Sequence, residues 1–322
     1  MMGLGVWLLE QVAPLTESIA PLMPGEVFPY FFTMEMFQRA MLAALVVTVV
    51  AGILGSFLLV RNMALIGDGI AHVAFGGVAV GLVMSATVPL WYAVVFAVIA
   101  AVIIDELQHR ELLNGDTAIA IIMTGALGLG LVVLRLPPDW FAFLPWHDGV
   151  ASSPMGVTPV VEAYLYGNLL LIDEYSLNLI TTISFFSIVA LLVMYKGLLA
   201  SAVDPIAARV QGIPVRAISL AFSIITAVVV VSMVKIIGAL LVTAILVSPA
   251  ATAQQVGKSF RGCMLWTQAF GFLSVFLGIY LSAELGTGSG SMIALVAALV
   301  FATVTVSKLT YKTFFLSKEN VN

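Results

Sequence analysis

Charge is what this sequence has least of. Of its 322 residues only 9% are Asp, Glu, Lys or Arg, while 61% are hydrophobic, and the mean hydropathy is +1.13. So small a charged fraction cannot cover a water-facing surface, which excludes a soluble fold and implies several spans of about 20 apolar residues each. Thiols are nearly absent too: Cys263 is the one cysteine, which excludes an internal disulfide and any multi-thiolate metal site. There is no HExxH zinc-protease pattern, no GxSxG elbow and no GxxxxGK[ST] phosphate loop. The chain therefore has no motif for hydrolysing ATP itself, and no enzyme activity or resident cofactor is expected. Residues 1–33 lack an early basic cluster and are interrupted by Pro14, Pro21, Pro24 and Pro29, which is not the pattern of a cleavable signal.

What the sequence does have is a succession of apolar runs. Spans are predicted at 37–60, 63–84, 89–107, 117–134, 177–199, 217–234, 236–253, 263–281 and 291–311. That is nine, or eight if 217–253 is partly re-entrant. The fold class is all-α: a polytopic membrane protein of eight to nine transmembrane helices. Residues 1–35 form an extracytoplasmic or interfacial leader, 36–311 the transmembrane domain and 312–322 a tail. The stretch 135–175, rich in Pro, Gly and aromatics, reads as a structured surface loop with Trp140 and Trp146 at the headgroup level. Arg61, Arg110, Lys196, Arg209, Arg216, Lys258, Arg261 and the tail lysines 308, 312 and 318 fall on one side, and only Arg39, Arg135 and Lys235 on the other. The positive-inside rule then places the amino terminus outside the cell membrane and the carboxyl terminus in the cytoplasm.

Asp68 and His72 interrupt the most glycine-rich span, RNMALIGDGIAHVAFGGVAVGLVM at 61–84. A separation of four residues puts both side chains on one helical face. With a rise of about 1.5 Å per residue from Arg61, the pair lies roughly 10–17 Å into a hydrocarbon layer about 30 Å thick. A carboxylate there costs about 2.5–3.5 kcal/mol and should face a partner, a water-filled cavity or an ion. The plainer alternative is that Gly67-Asp68-Gly69 restarts a broken helix with Asp68 as its cap, leaving His72 hydrogen-bonded in the core. Gly67, Gly69, Gly76, Gly77 and Gly81 allow close approach of other backbones, as a shared central site would need. His109, His147 and Asp148 fall in loops and are expected to be solvated. An intramembrane aspartyl protease would need a second membrane aspartate, and no other predicted span interior offers one.

Several strings together carry a resemblance: RNMALIGDGIAHVAFGGVAVGL, DTAIAIIMTGALGLGLVV from Asp116, EAYLYGNLL at 162–170, and KIIGALLVTAILVSPAATAQQV at 235–256. From about residue 36 to 311 the chain resembles the membrane permease of zinc, manganese and iron ABC importers. The resemblance implies a type II importer fold and a homodimer. It further implies cytoplasmic ABC ATPase subunits and an extracytoplasmic metal-binding protein as partners, with no nucleic acid. It places Asp68 and His72 on the metal pathway. It also makes Ser248 to Gly262 the end of a pathway helix turning into a short coupling helix for the ATPase, with Ser248, Pro249, Gln254, Gln255, Lys258 and Arg261 as its handle. Pro249 disfavours a continuous helix there. The leader has no counterpart in the family pattern. Two alternatives remain: a permease for a siderophore-like or cobalamin-like chelate, which would want a wide uncharged channel, and an ATP-independent carrier using Asp68 and His72 as a proton relay. Imidazole and carboxylate without thiolate suit Zn, Mn and Fe alike.

Overall fold

A helix that crosses lipid must satisfy its own backbone, so the apolar runs form helices wherever glycine, proline or a polar turn does not stop them. The computed structural model describes residues 3–84, 90–136, 164, 167, 172–239 and 242–319. Its helices are α1 (Leu4–Ile19), α2 (Glu35–Val60), α3 (Ile66–Val83), α4 (Leu90–His109), α5 (Gly115–Val133), α6 (Glu174–Val203), α7 (Pro205–Val210), α8 (Val215–Ile237), α9 (Val242–Val256), α10 (Phe260–Leu285) and α11 (Ser289–Glu319). No strand occurs among the described residues. The 135–175 loop, including Trp140, Trp146, His147 and Asp148, lies almost wholly outside the described residues.

Among the described residues, eight helices are long and apolar enough to cross a membrane: α2, α3, α4, α5, α6, α8, α10 and α11. The run expected as a ninth span is α9, whose 15 residues reach about 22 Å, short of a hydrocarbon core of about 30 Å. Gly238, at φ 88°, closes α8 in a conformation that side-chain-bearing residues avoid, and α9 restarts only at Val242. Pro249, expected to break the helix, sits inside a continuous α9. Pro14 is likewise inside α1.

Contacts at the two ends show that successive long helices alternate in direction. One end gathers Arg61, Asp105, Ser219, Phe57, Phe260 and Tyr195, and it carries the arginines and lysines of the α4–α5, α6–α8 and α9–α10 connections. We call it the basic end. At the opposite end the leader docks. Phe28 makes edge-on contacts with Phe32, Phe276 and Tyr280, and the Glu284 carboxylate accepts the backbone N–H groups of Glu26, Val27 and Phe28 at 3.1, 3.0 and 2.9 Å. Asn178 accepts the Val6 N–H at 2.9 Å, and Arg39 joins Glu35 to Glu174. The leader is thus strapped across α2, α6 and α10. α3 is packed on α4, α5, α8 and α9.

Candidate functional site

The site begins at the turn that launches α3. At the end of α2, Asn62 takes the left-handed conformation at φ 53°, its N–H bonds Leu59 O at 3.2 Å, and the Met63 N–H reaches Leu58 O at 2.9 Å. This double closure is a Schellman motif, and Leu58 and Met63, both buried, supply its apolar contact. α3 therefore starts at Ile66, five residues beyond Arg61, and Asp68 lies in its first turn. By the helical rise Asp68 and His72 are about 3 and 9 Å from the start of α3, shallower along a helix than a span running from Arg61 would place them. The turn itself is recessed. Arg61 meets Ser219 and is drawn towards Asp105, each four residues, or about 6 Å, inside the ends of α8 and α4.

Asp68 and His72 face the same way, with His72 Nε2 3.6 Å from Asp68 Oδ1, and their side chains are 33% and 14% exposed. The residues between and beyond them on α3, Gly69, Ile70, Ala71, Val73 and Ala74, are buried. His72 Nδ1 is buried without a hydrogen-bond partner among the described residues. Glycine brings the neighbouring helices close: a Cβ at Gly76 would lie 2.5 Å from the Ala126 carbonyl oxygen of α5. On α9, Thr243 Oγ1 is also buried and unpartnered, and it lies 3.7 Å from where a Cβ on Gly67 would stand. Among the described residues no group of three or more His, Cys, Asp or Glu comes together, so one copy of the chain offers an ion one carboxylate and one imidazole here.

Below this pair lies a set of charges that the sequence does not reveal. Asp105, at the end of the predicted 89–107 span, is a buried residue of α4 at 5% exposure. Its Oδ1 accepts the hydroxyls of Ser219 at 2.6 Å and Ser223 at 3.3 Å. Arg61 donates through one amino nitrogen to Ser219 Oγ at 2.5 Å, and its guanidinium lies over the Phe222 ring, 5.0 Å from the centroid. Burial pulls the Arg61 pKa down and Asp105 opposes this, yet an arginine keeps its charge. The other amino nitrogen of Arg61 is buried without a partner. Beside this set, Glu106 pairs with Arg110 at 2.6 Å and with Arg216 at 2.7 Å. No spacing rule links residues 61, 105 and 219, and the packing of α4, α8 and the α2–α3 turn alone brings them together.

The Ser248–Gly262 segment is not a separate short helix. Ser248, Pro249 and Gln254 belong to α9, Lys258 stands in a three-residue break, and Ser259 caps α10 by accepting the Gly262 N–H at 3.1 Å. Gln254, Lys258 and Arg261 are exposed. Gln255 is engaged within the chain: its amide donates to Thr305 Oγ1 at 2.7 Å and its carbonyl accepts from Lys308 at 2.6 Å. A second exposed element shares this end. Asp204 caps α7 by accepting the Ile206 and Ala207 N–H groups at 3.0 and 2.9 Å, and Val203, Ile206 and Val210 are 72%, 74% and 84% exposed.

Residues 33–308 match the ABC 3 transport family. The chain is 30% identical over 275 residues to the manganese transport system membrane protein MntC of Halalkalibacterium halodurans, covering 85% of this chain and 88% of that protein. It is 28% identical to the manganese import system permease protein ScaB of Streptococcus gordonii, with 82% and 88% covered. Among solved structures it resembles PsaBC from Streptococcus pneumoniae in complex with Fab, with a TM-score of 0.69, 27% identity, and 84% of this chain and 91% of that chain covered.

Proposed function

The chain belongs to the ABC 3 transport family, and on that premise we propose that it is the membrane permease of an importer of divalent metal ions, manganese first among them. Two relatives, at 30% and 28% identity, are described as a manganese transport system membrane protein and a manganese import system permease protein, and the fold is similar to that of PsaBC. The observation that carries the site is the Asp68–His72 pair on one face of the largely buried α3, with His72 Nδ1 buried and without a hydrogen-bond partner among the described residues. Carboxylate oxygen with imidazole and no thiolate is a donor set that takes Mn²⁺ readily.

One copy supplies fewer protein donors than a closed site wants. Two copies related by a two-fold axis beside α3 would bring two aspartates and two histidines to one ion and neutralise it. Without the ion the two carboxylates repel, which favours protons, water or a wider separation. Import then follows as a cycle: an extracytoplasmic binding protein delivers the ion, the paired ligands hold it, and movement driven by cytoplasmic ATPase subunits pulls the ligands apart.

The basic end faces the cytoplasm on the positive-inside rule, and the leader end faces outwards. The ATPase then meets that end. Gln254, Lys258 and Arg261 offer it a polar, positively charged handle. The exposed apolar side chains at the end of α6 and on α7 favour a second reading, in which Val203, Ile206 and Val210 fill a groove on the ATPase. Radioactive Mn²⁺ uptake into proteoliposomes holding the permease and its ATPase subunits tests the function. Wild type accumulates the ion with ATP, and Asp68→Asn and His72→Ala each abolish uptake while the protein remains inserted. Wild-type uptake by the double variant would remove the site.

A further inference from the structure

Asp68 follows the α2–α3 turn by a few residues, and that turn is held from below by Arg61. The guanidinium does not pair directly with Asp105. A single hydroxyl, Ser219, joins them, accepting from Arg61 at 2.5 Å and donating its one proton to Asp105 at 2.6 Å. Ser219 lies on the second turn of α8. One turn earlier on α8, Arg216 grips Glu106, the neighbour of Asp105 on α4. α8 itself follows the exposed α7 connector through Gly212, at φ 80°, and Pro214.

We propose that Arg61, Ser219 and Asp105, with the Arg216–Glu106 pair, are positioning residues that carry movement of the α7–α8 connector to the turn launching α3, and so to Asp68 and His72. The proposal rests on the reading of Asp68 and His72 as ligands of the transported ion. A cluster that served stability alone would satisfy its buried donors. Here one amino nitrogen of Arg61 is buried and without a partner among the described residues, although the Asp105 carboxylate stands one hydroxyl away. A small shift of α8 along its axis withdraws Ser219 from both charges at once and lets the guanidinium close directly on Asp105. The relay would then alternate between the hydroxyl-bridged arrangement seen here and a direct Arg61–Asp105 pair, two discrete states such as a conformational relay requires. The Schellman turn has a fixed register, so displacement of Arg61 is passed to α3 instead of being absorbed between the helices.

The test uses the permease with its ATPase subunits in proteoliposomes, and reads Mn²⁺ binding separately from Mn²⁺-dependent ATP hydrolysis and uptake. Ser219→Ala is expected to retain Mn²⁺ binding and lose roughly three- to thirtyfold in Mn²⁺-dependent hydrolysis and uptake, the range that coupling energies of this kind give. Ser219→Thr, which keeps the hydroxyl, should restore both. At the exposed pair, Glu106→Gln should lower the coupling and the exchange Glu106→Arg with Arg216→Glu should recover it; these variants decide the question if Ser219→Ala does not assemble. Unchanged coupling in Ser219→Ala and Glu106→Gln overturns the relay, as does binding that falls in step with hydrolysis. Asp68→Asn in parallel separates the two claims: Mn²⁺ binding that persists in that variant defeats the ligand reading, whatever the serine variants do.

Discussion

At the scale of single residues, Asp68 and His72 were legible because a four-residue spacing inside an apolar run is a geometric statement: it fixes a shared face before any packing is known. Their 3.6 Å separation is that geometry realised. The Asp105–Ser219–Arg61 set was not legible, since its members stand 44 and 114 positions apart (105−61; 219−105) and a charged stretch at a span's end ordinarily marks a surface. Deleting one charge of this hydroxyl-bridged set leaves the other uncompensated in a buried setting, which is destabilising. Arg61→Met alone should therefore lower the melting temperature of the detergent-purified permease far more than Arg61→Met combined with Asp105→Leu, which removes both charges; equal losses would show that the two charges do not depend on one another. Gly76 makes a second residue-level prediction. A side chain there meets the Ala126 carbonyl oxygen at 2.5 Å, so Gly76→Val should destabilise the fold by about 1–3 kcal/mol through overpacking, and an unchanged melting temperature would deny the close α3–α5 contact.

At the scale of elements, hydropathy located the eight long helices because a spanning helix must be a long apolar run. It misjudged α9, whose composition is equally apolar but whose length is set by Gly238 and the restart at Val242. Pro249 also misled. Proline weakens a helix locally, yet α9 is held by packing on α2, α10 and α11, and tertiary contacts override a local preference. The leader shows the same limit from the other side: its prolines suggested an interrupted interfacial piece, and the strap by which Glu284 holds residues 26–28 depends on a carboxylate more than 250 positions away. Glu284→Ala should raise amide hydrogen exchange at Val27 and Phe28 by an amount matching about 1–3 kcal/mol of lost protection, and protection that persisted would mean the aromatic contacts of Phe28 suffice alone. The two candidate handles for the ATPase are separable in the same way. Lys258→Glu with Arg261→Glu tests the α9–α10 break, and Ile206→Asp with Val210→Asp tests α7. The pair that uncouples ATP hydrolysis from Mn²⁺ uptake identifies the docking element, and full coupling in both would place docking elsewhere.

At the scale of the whole molecule, alternating helices put the arginines and lysines of three connections at one end, which the positive-inside rule predicts to face the cytoplasm. With Cys263 replaced by serine, cysteines placed at Gln254 or Arg209 should be shielded from an impermeant thiol reagent outside intact cells, and labelling of either would reverse the molecule in the membrane. The composition of one chain also bears on assembly. A half-buried carboxylate and imidazole with no third charged or thiol donor among the described residues suit an ion held between two copies better than one held within a copy. The most direct measurement is the Mn²⁺ content of the purified resting complex, determined by elemental analysis against the amount of permease. About one ion per two chains is expected in the wild type, as a site completed by a second copy requires, and essentially none in Asp68→Asn. One ion per chain would contradict the shared site, and an Asp68→Asn complex that kept its full Mn²⁺ would contradict the role of the Asp68–His72 pair altogether.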